Sequence, residues 1–108
     1  MALKFWLRAG AVTLAAVGAA SASGAETIRI KVEKLTYSPR EVSAHTGDII
    51  EWVSADFLLH TATAKNGDWE ASIPAGKSKS VTLTHEGTID YYCRFHPNMT
   101  GRITVAKD

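Results

Sequence analysis

The segment YYCRFHPNM, residues 91–99, concentrates side chains that bind soft metal ions. Cys93, the only cysteine of the chain, is followed by His96 and Met99 at intervals of three residues. Thiolate and thioether sulfurs are soft donors and imidazole is borderline, which suits copper, zinc or iron–sulfur chemistry. Two histidines and one cysteine in a trigonal set, with a distant axial methionine, form the blue-copper electron-transfer site. The segment offers three of these four ligands in one predicted turn and lacks a second histidine.

The second histidine must come from elsewhere in the chain, which holds four histidines in all. His45 and His85 each lie among polar residues close to a turn glycine, and we predict that both are exposed and bind no metal. His60 lies in the apolar run FLLHTATA. A lone histidine there would be interpreted as a buried core residue, but three ligands in one turn need a partner. We therefore predict a metal site made of His60, Cys93, His96 and Met99, which binds one copper ion as Cu(I) or Cu(II).

The elements that must position these residues are strands. In TIRIKVE, residues 27–33, apolar and polar residues alternate, and this period of two is typical of a half-buried strand. DIIEWVS, FLLHTATA, the region of Val81 and Leu83, the run through Ile89 and Cys93, and GRITVA indicate further strands. Turn residues separate them, including Pro39, Gly47-Asp48 and the Asn-Gly pair of KNGD. Short strands at regular spacing predict an all-β sandwich or barrel.

The N-terminal residues have the pattern of a secretory signal peptide. Lys4 and Arg8 precede an uncharged run over residues 9–22, and small residues follow it. A membrane anchor is the alternative, but the run is shorter than the roughly 20 apolar residues that a span requires. We expect cleavage after Ala25 or after Ala22, export to the periplasm, and a single domain over residues 26–108 without a membrane span.

Charge and cysteine content narrow the function further. Removing residues 1–25 takes two of the 12 basic residues and none of the 11 acidic ones, so the net charge becomes −1. A near-neutral domain without a basic stripe is not typical of nucleic-acid binding. A single cysteine cannot form an internal disulfide, so in an exported protein we interpret it as a ligand. A metal that binds only the folded state would also stabilise so small a domain.

These residues resemble the cupredoxin family, and within it the amicyanins and their plastocyanin and pseudoazurin relatives. The resemblance covers nearly all of residues 26–108. YSPREVSAHTGDIIEWVSAD is similar to the family's proline, Gly-Asp and strand tryptophan before a loop. IPAGKSKSVTLTHEGTIDYYC is similar to its Pro-x-Gly loop and its Tyr-x-Cys strand. The pattern Cys-x-x-His-x-x-Met, with Pro97 after the histidine, has the short spacing of amicyanins.

The resemblance implies a Greek-key β-sandwich that transfers single electrons and is not an enzyme. The family's ligand loops are tied together by an asparagine after the upstream histidine, and Thr61 stands at that position here. The loop histidine of the family reaches the surface in an apolar patch, which Phe95, Pro97 and Met99 would help to line. The implied partners are transient redox proteins, namely a periplasmic dehydrogenase and a c-type cytochrome, and we expect a monomer.

The residues alone leave three alternatives open. A periplasmic copper carrier or chaperone would use the same donor types, although such sites tend to be exposed and to lack a buried thiolate. An enzyme could use Cys93 as nucleophile and His96 as base, but no orienting acid is evident and Met99 would have no role. A structural zinc site is less consistent with a thioether, because zinc favours cysteine and histidine ligands.

Overall fold

The computed structural model describes residues 24–108, which form two β-sheets with a shared apolar core. The predicted all-β sandwich is confirmed. Most of the segment that we interpret as a signal peptide, residues 1–23, lies outside the described residues, so that interpretation stays a prediction. Within residues 24–108 no helix has the length and hydropathy that a membrane span needs.

The described residues contain nine strands in two sheets. The first sheet has the order β2-β1-β4-β7 and the second has the order β3-β9-β8-β5-β6. β1 and β4 are parallel, as are β3 and β9, whereas the other neighbours are antiparallel. The strand bounds are β1 Thr27–Glu33, β2 Thr36–Ser38, β3 Glu41–His45, β4 Ile49–Ser54, β5 His60–Ala64, β6 Glu70–Ile73, β7 Ser78–Thr82, β8 Gly87–Cys93 and β9 His96–Ala106.

Aromatic side chains fill the core between the sheets. Trp52 of β4 and Tyr91 of β8 are fully buried, as their places in the alternation predict. The ring of Tyr37 lies 4.6 Å from that of Tyr91 between centroids, and Trp52 Nε1 donates to the Tyr91 hydroxyl at 3.3 Å. Gly101 is the cross-strand partner of Tyr91, and a Cβ atom at that position would overlap the tyrosine ring. This glycine lets the ring lie across β9 and so fixes β8 two residues before Cys93.

Three strands were not part of the sequence prediction. β2 and β3 fall in a region that the prediction describes only by its turn residues, and β6 follows the KNGD turn. In β3 the inward positions are Val42 and Ala44, and in β6 they are Ala71 and Ile73. Alanine contributes little apolar surface, so the alternation in these short strands is too weak to stand out.

Two strand boundaries also differ from the prediction. β7 begins at Ser78, inside the segment IPAGKSKS that was predicted to be a polar loop. The strand resembles a loop in sequence because it lies at the edge of its sheet, where its residues are mostly exposed and polar. β9 begins at His96 rather than at Gly101. The predicted seven-residue turn from Cys93 to Met99 is therefore wrong: only Arg94 and Phe95 connect β8 to β9.

Candidate metal centre

Three of the four predicted ligands lie together at one end of the second sheet. His60 begins β5, Cys93 ends β8 and His96 begins β9. Because β5 and β8 are antiparallel, the start of one lies beside the end of the other. Cys93 pairs with His96 across the tight turn between β8 and β9. The sheet order, and not the spacing of residues 91–99 alone, therefore brings the upstream histidine to the cysteine.

The donor atoms have the separations that a bound metal ion requires. Cys93 Sγ lies 3.8 Å from His60 Nδ1 and 3.7 Å from His96 Nδ1, and all three donors lie within 4.8 Å of one another. Metal–nitrogen bonds of about 2.0–2.1 Å and metal–sulfur bonds of about 2.3 Å place trigonal donors roughly 3.8 Å apart. The three side chains therefore fit one ion in a trigonal set.

A carboxylate outside the donor set orients the buried histidine. His60 Nε2 lies 3.1 and 3.0 Å from the two carboxylate oxygens of Asp56. Burial raises the pKa of Asp56, but the Leu58 amide and His60 outweigh burial and lower the pKa overall. An ionised carboxylate only accepts hydrogen bonds, so Nε2 must carry the hydrogen. Nδ1 is then the ring nitrogen that faces Cys93: when protonated it donates to the sulfur, and when deprotonated it is the nitrogen that can bind a metal ion.

Asp56 is the functional residue that the sequence analysis missed. It lies four residues before His60, and the Leu58 amide donates to Asp56 Oδ1 at 3.0 Å, which holds the carboxylate in the loop between β4 and β5. It is the one charged residue in the segment ADFLLH. An acidic residue alone among apolar neighbours, close to a candidate histidine ligand, was the available signal.

The surroundings of Cys93 favour its thiolate. Burial alone would raise the pKa of the thiol. The Thr61 amide donates to Cys93 Sγ at 3.4 Å, and the imidazoles of His96 and His60 and the Phe95 amide add to this effect. Together they lower the pKa of Cys93 to about 6. A thiolate is the form of cysteine that binds metal, so the site is prepared for a cation.

Comparison with known proteins places this geometry in a family. The family model described as a cupredoxin-like domain matches residues 6–105. The chain belongs to the cupredoxin family. The two-sheet architecture and the donor cluster at one end of it agree with this assignment.

Individual relatives of this cupredoxin are amicyanins. The chain is 27% identical over 87 residues to amicyanin of Paracoccus versutus. This alignment covers 75% of the chain and 66% of that protein, so the chain spans slightly less than two thirds of its relative's length. It is 27% identical over 110 residues to amicyanin-alpha of Methylorubrum extorquens, which covers 96% of the chain and 92% of that protein. The crystal structure of amicyanin from Paracoccus versutus superposes with a TM-score of 0.65 at 26% identity, over 73% of this chain and 80% of that one.

Thr61 ties the two ligand-bearing segments of this cupredoxin together. Its backbone amide donates to Cys93 Sγ, and its side-chain oxygen accepts a hydrogen bond from the Arg94 amide at 2.9 Å. The Thr61 carbonyl accepts a hydrogen bond from the Tyr37 hydroxyl. The first two contacts join β5 to Cys93 and to the turn after it, and the third joins β5 to β2. The shorter threonine thus makes the link that the resemblance assigns to an asparagine at this position.

The remaining candidate residues differ in their placement. Met99 is buried in the same core cluster as Cys93 and lines a groove together with His96, which is partly exposed. His45 and His85 are exposed and lie outside the donor cluster. Their Nδ1 atoms lie 3.9 Å from Asp48 and 3.5 Å from Asp68, respectively.

Proposed function

We propose that the chain is a type 1 copper protein that carries single electrons, with His60, Cys93, His96 and Met99 as its metal ligands. The observation that supports this function best is the convergence of two imidazole Nδ1 atoms on one buried sulfur whose pKa is lowered. Copper, when bound, supplies a one-electron couple between Cu(I) and Cu(II). The donor types and their spacing fit that ion.

The protein holds its donors in one arrangement. His60 and Cys93 are fully buried within strands, Asp56 fixes the ring of His60, and Thr61 fixes the turn that leads to His96. Pro97 fixes its own φ and restricts the backbone of His96. Rigid donors change little when the charge of the site changes, and little rearrangement favours rapid electron transfer. In this proposal Met99 would help to hold the copper through its thioether sulfur and would adjust the reduction potential.

The burial of Cys93 favours an electron carrier over a nucleophilic enzyme. The side chain is 0% exposed, and the backbone amide of Thr61 and two imidazoles already contact its sulfur. A nucleophile has to reach the reacting atom of a substrate. An electron has no such requirement, because it can leave through the partly exposed ring of His96.

The surface next to His96 is suited to a transient protein partner. We call the exposed side chains of Leu35, Phe57, Leu58, Phe95 and Pro97 the apolar rim. Phe57 is 96% exposed and Phe95 is 54% exposed. Phe95 and Pro97 line one groove, Phe57 and Leu58 line a second, and Leu35 lines both.

Two features of the apolar rim refine the sequence prediction. Met99, which was expected to line the patch, is buried and contributes little surface. Leu35 has a φ of 59°, a left-handed backbone conformation that is costly for any residue other than glycine. Its apolar side chain is nevertheless exposed to solvent. An exposed, strained leucine beside the metal centre supports a role in docking.

We propose that the partners are redox proteins that dock on the apolar rim through small, short-lived interfaces. An amicyanin-like carrier would accept electrons from a periplasmic dehydrogenase and pass them to a c-type cytochrome. In this proposal residues 1–25 direct export to the periplasm and are removed, and the protein acts there as a monomer.

Copper titration of the purified protein tests the proposed site. Adding Cu(II) should produce an intense blue absorption that rises linearly and stops at one ion per chain, because a short copper–thiolate bond gives strong charge transfer. The zinc-loaded protein is the colourless reference. A colourless copper complex, or a blue colour that keeps rising beyond one ion per chain, would contradict the proposal.

A further inference from the structure

Among the residues that the structure describes, Gly24 and Ala25 precede Glu26, whose backbone is bound to Asp48 and Ile49. Gly24 and Ala25 are exposed and belong to no strand. The Glu26 carbonyl accepts a hydrogen bond from the Ile49 amide at 2.8 Å, and the Glu26 nitrogen donates to Asp48 Oδ1 at 2.9 Å. Glu26 is therefore held on both sides of its backbone immediately before β1 begins.

The carboxylate that receives the Glu26 nitrogen is buried and rigidly held. Asp48 is 5% exposed, and its second oxygen accepts a hydrogen bond from the His45 amide at 2.8 Å. Its own carbonyl accepts a hydrogen bond from the Leu83 amide at 2.8 Å, which fixes the turn between β3 and β4. The pKa of Asp48 is lowered by the amides of Glu26 and His45, so the group is ionised at neutral pH.

This buried negative charge has little positive charge nearby. The adjoining cavity is lined by Glu26, Asp48 and Asp108 together with His45, and no lysine or arginine is among the described residues that line it. His45 Nδ1 lies 3.9 Å from the carboxylate, on a side chain that is largely exposed. The two amide hydrogen bonds already stabilise this carboxylate, and a cation at this point would add an ion pair to them.

We propose, resting on the export in the proposed function, that cutting the Ala25–Glu26 bond rather than the bond after Ala22 creates a new contact, in which Asp48 binds the α-ammonium group so formed. A signal peptidase would hydrolyse this peptide bond with water. The Ala25 carbonyl carbon gains the hydroxyl and becomes a carboxylate, and the Glu26 nitrogen becomes an ammonium group. The nitrogen, which donates one hydrogen bond to Asp48 as an uncharged amide, then forms an ion pair with it. Cleavage after Ala22 would leave an uncharged amide at the same place.

The cleavage site is tested by exporting the full-length chain in a bacterial host and measuring the intact mass of the periplasmic protein. The mass should correspond to a chain that begins at Glu26. A chain that begins at Ser23 would overturn this part of the proposal.

The ion pair is tested with chains that begin at Glu26 or at Ser23, each released from a fusion by a protease that leaves no extra residue. Asp48→Asn is introduced into both, and unfolding is measured in denaturant. We expect the substitution to lower the folding equilibrium constant about fivefold more in the chain that begins at Glu26, because charged partners form stronger hydrogen bonds. Equal losses in the two chains would overturn the proposal.

If Asp48→Asn prevents folding, the ion pair can be tested by a second measurement that needs no substitution. In the unsubstituted chain that begins at Glu26, the α-amino group is titrated by NMR. Its pKa should lie above the ordinary range of about 7.7–8.0, because Asp48 favours the charged form. A pKa within or below that range would overturn the proposal.

Discussion

Cys93→Ser should abolish the blue absorption of the copper-loaded protein. Serine is close to cysteine in size, so the packing around residue 93 and the fold should persist. Its hydroxyl is not ionised at neutral pH and is a poor ligand for copper, whereas the Cys93 thiol has a pKa of about 6. We expect copper affinity to fall by more than the roughly 100-fold that follows loss of a group that merely orients a ligand. Absorption spectra and copper competition measure both effects.

Matched variants separate loss of a ligand from a general effect of mutation. His45→Ala and His85→Ala remove exposed imidazoles outside the donor cluster and should leave the spectrum unchanged. Met99→Leu should retain copper and much of the colour, and should raise the reduction potential because loss of a sulfur donor destabilises Cu(II) more than Cu(I). If Cys93→Ser keeps the blue band, or if Met99→Leu loses copper as fully, the ligand assignment is wrong.

Asp56→Asn should weaken Cu(II) binding and raise the reduction potential. The amide can still accept from the Leu58 amide, so the loop should keep its shape. The substitution removes a negative charge 3.0 Å from His60 Nε2 and permits the wrong tautomer of the ring. We expect a loss of about 10–100-fold in affinity for Cu(II), the range seen when a group that orients a ligand is changed. Chelator competition and voltammetry measure the two quantities.

Asp90→Asn is the matched control for this prediction. Asp90 pairs with Arg102 Nε at 2.7 Å on the surface, and its substitution makes the same change in charge away from the donor cluster. It should shift neither affinity nor potential appreciably. Equal shifts in the two variants would mean that Asp56 acts through net charge alone and does not position His60.

The sequence predicted that His60, Cys93 and His96 would lie together because its signal lies in residue types that have few other uses together. One cysteine, a nearby histidine and a methionine restrict the chemistry before any fold is known. His60 could be assigned to the same site because it stands in an apolar strand. In the structure, the antiparallel pairing of β5 with β8 brings His60 close to Cys93. The ligand role of Met99 stays a proposal.

What the sequence did not reveal depends on contacts between distant segments or on weak patterns. Asp56 becomes meaningful only when the loop between β4 and β5 folds back so that its carboxylate meets His60. β3 and β6 bury alanines at half of their inward positions, which leaves little contrast between the two faces. β7 is polar because it lies at the edge of its sheet, and the sequence of a polar edge strand cannot be told from that of a loop before its neighbouring strand is known.

The most direct test of electron carriage is a redox cycle of the copper-loaded protein in the presence of a modest chelator of Cu(I). The protein is reduced and reoxidised repeatedly, and the blue absorption and the copper content are followed through each cycle. An electron carrier should bleach and recover fully with its copper retained, because the buried donors hold both oxidation states. Transfer of Cu(I) to the chelator, with the colour lost after the first reduction, would contradict the account and identify a copper carrier.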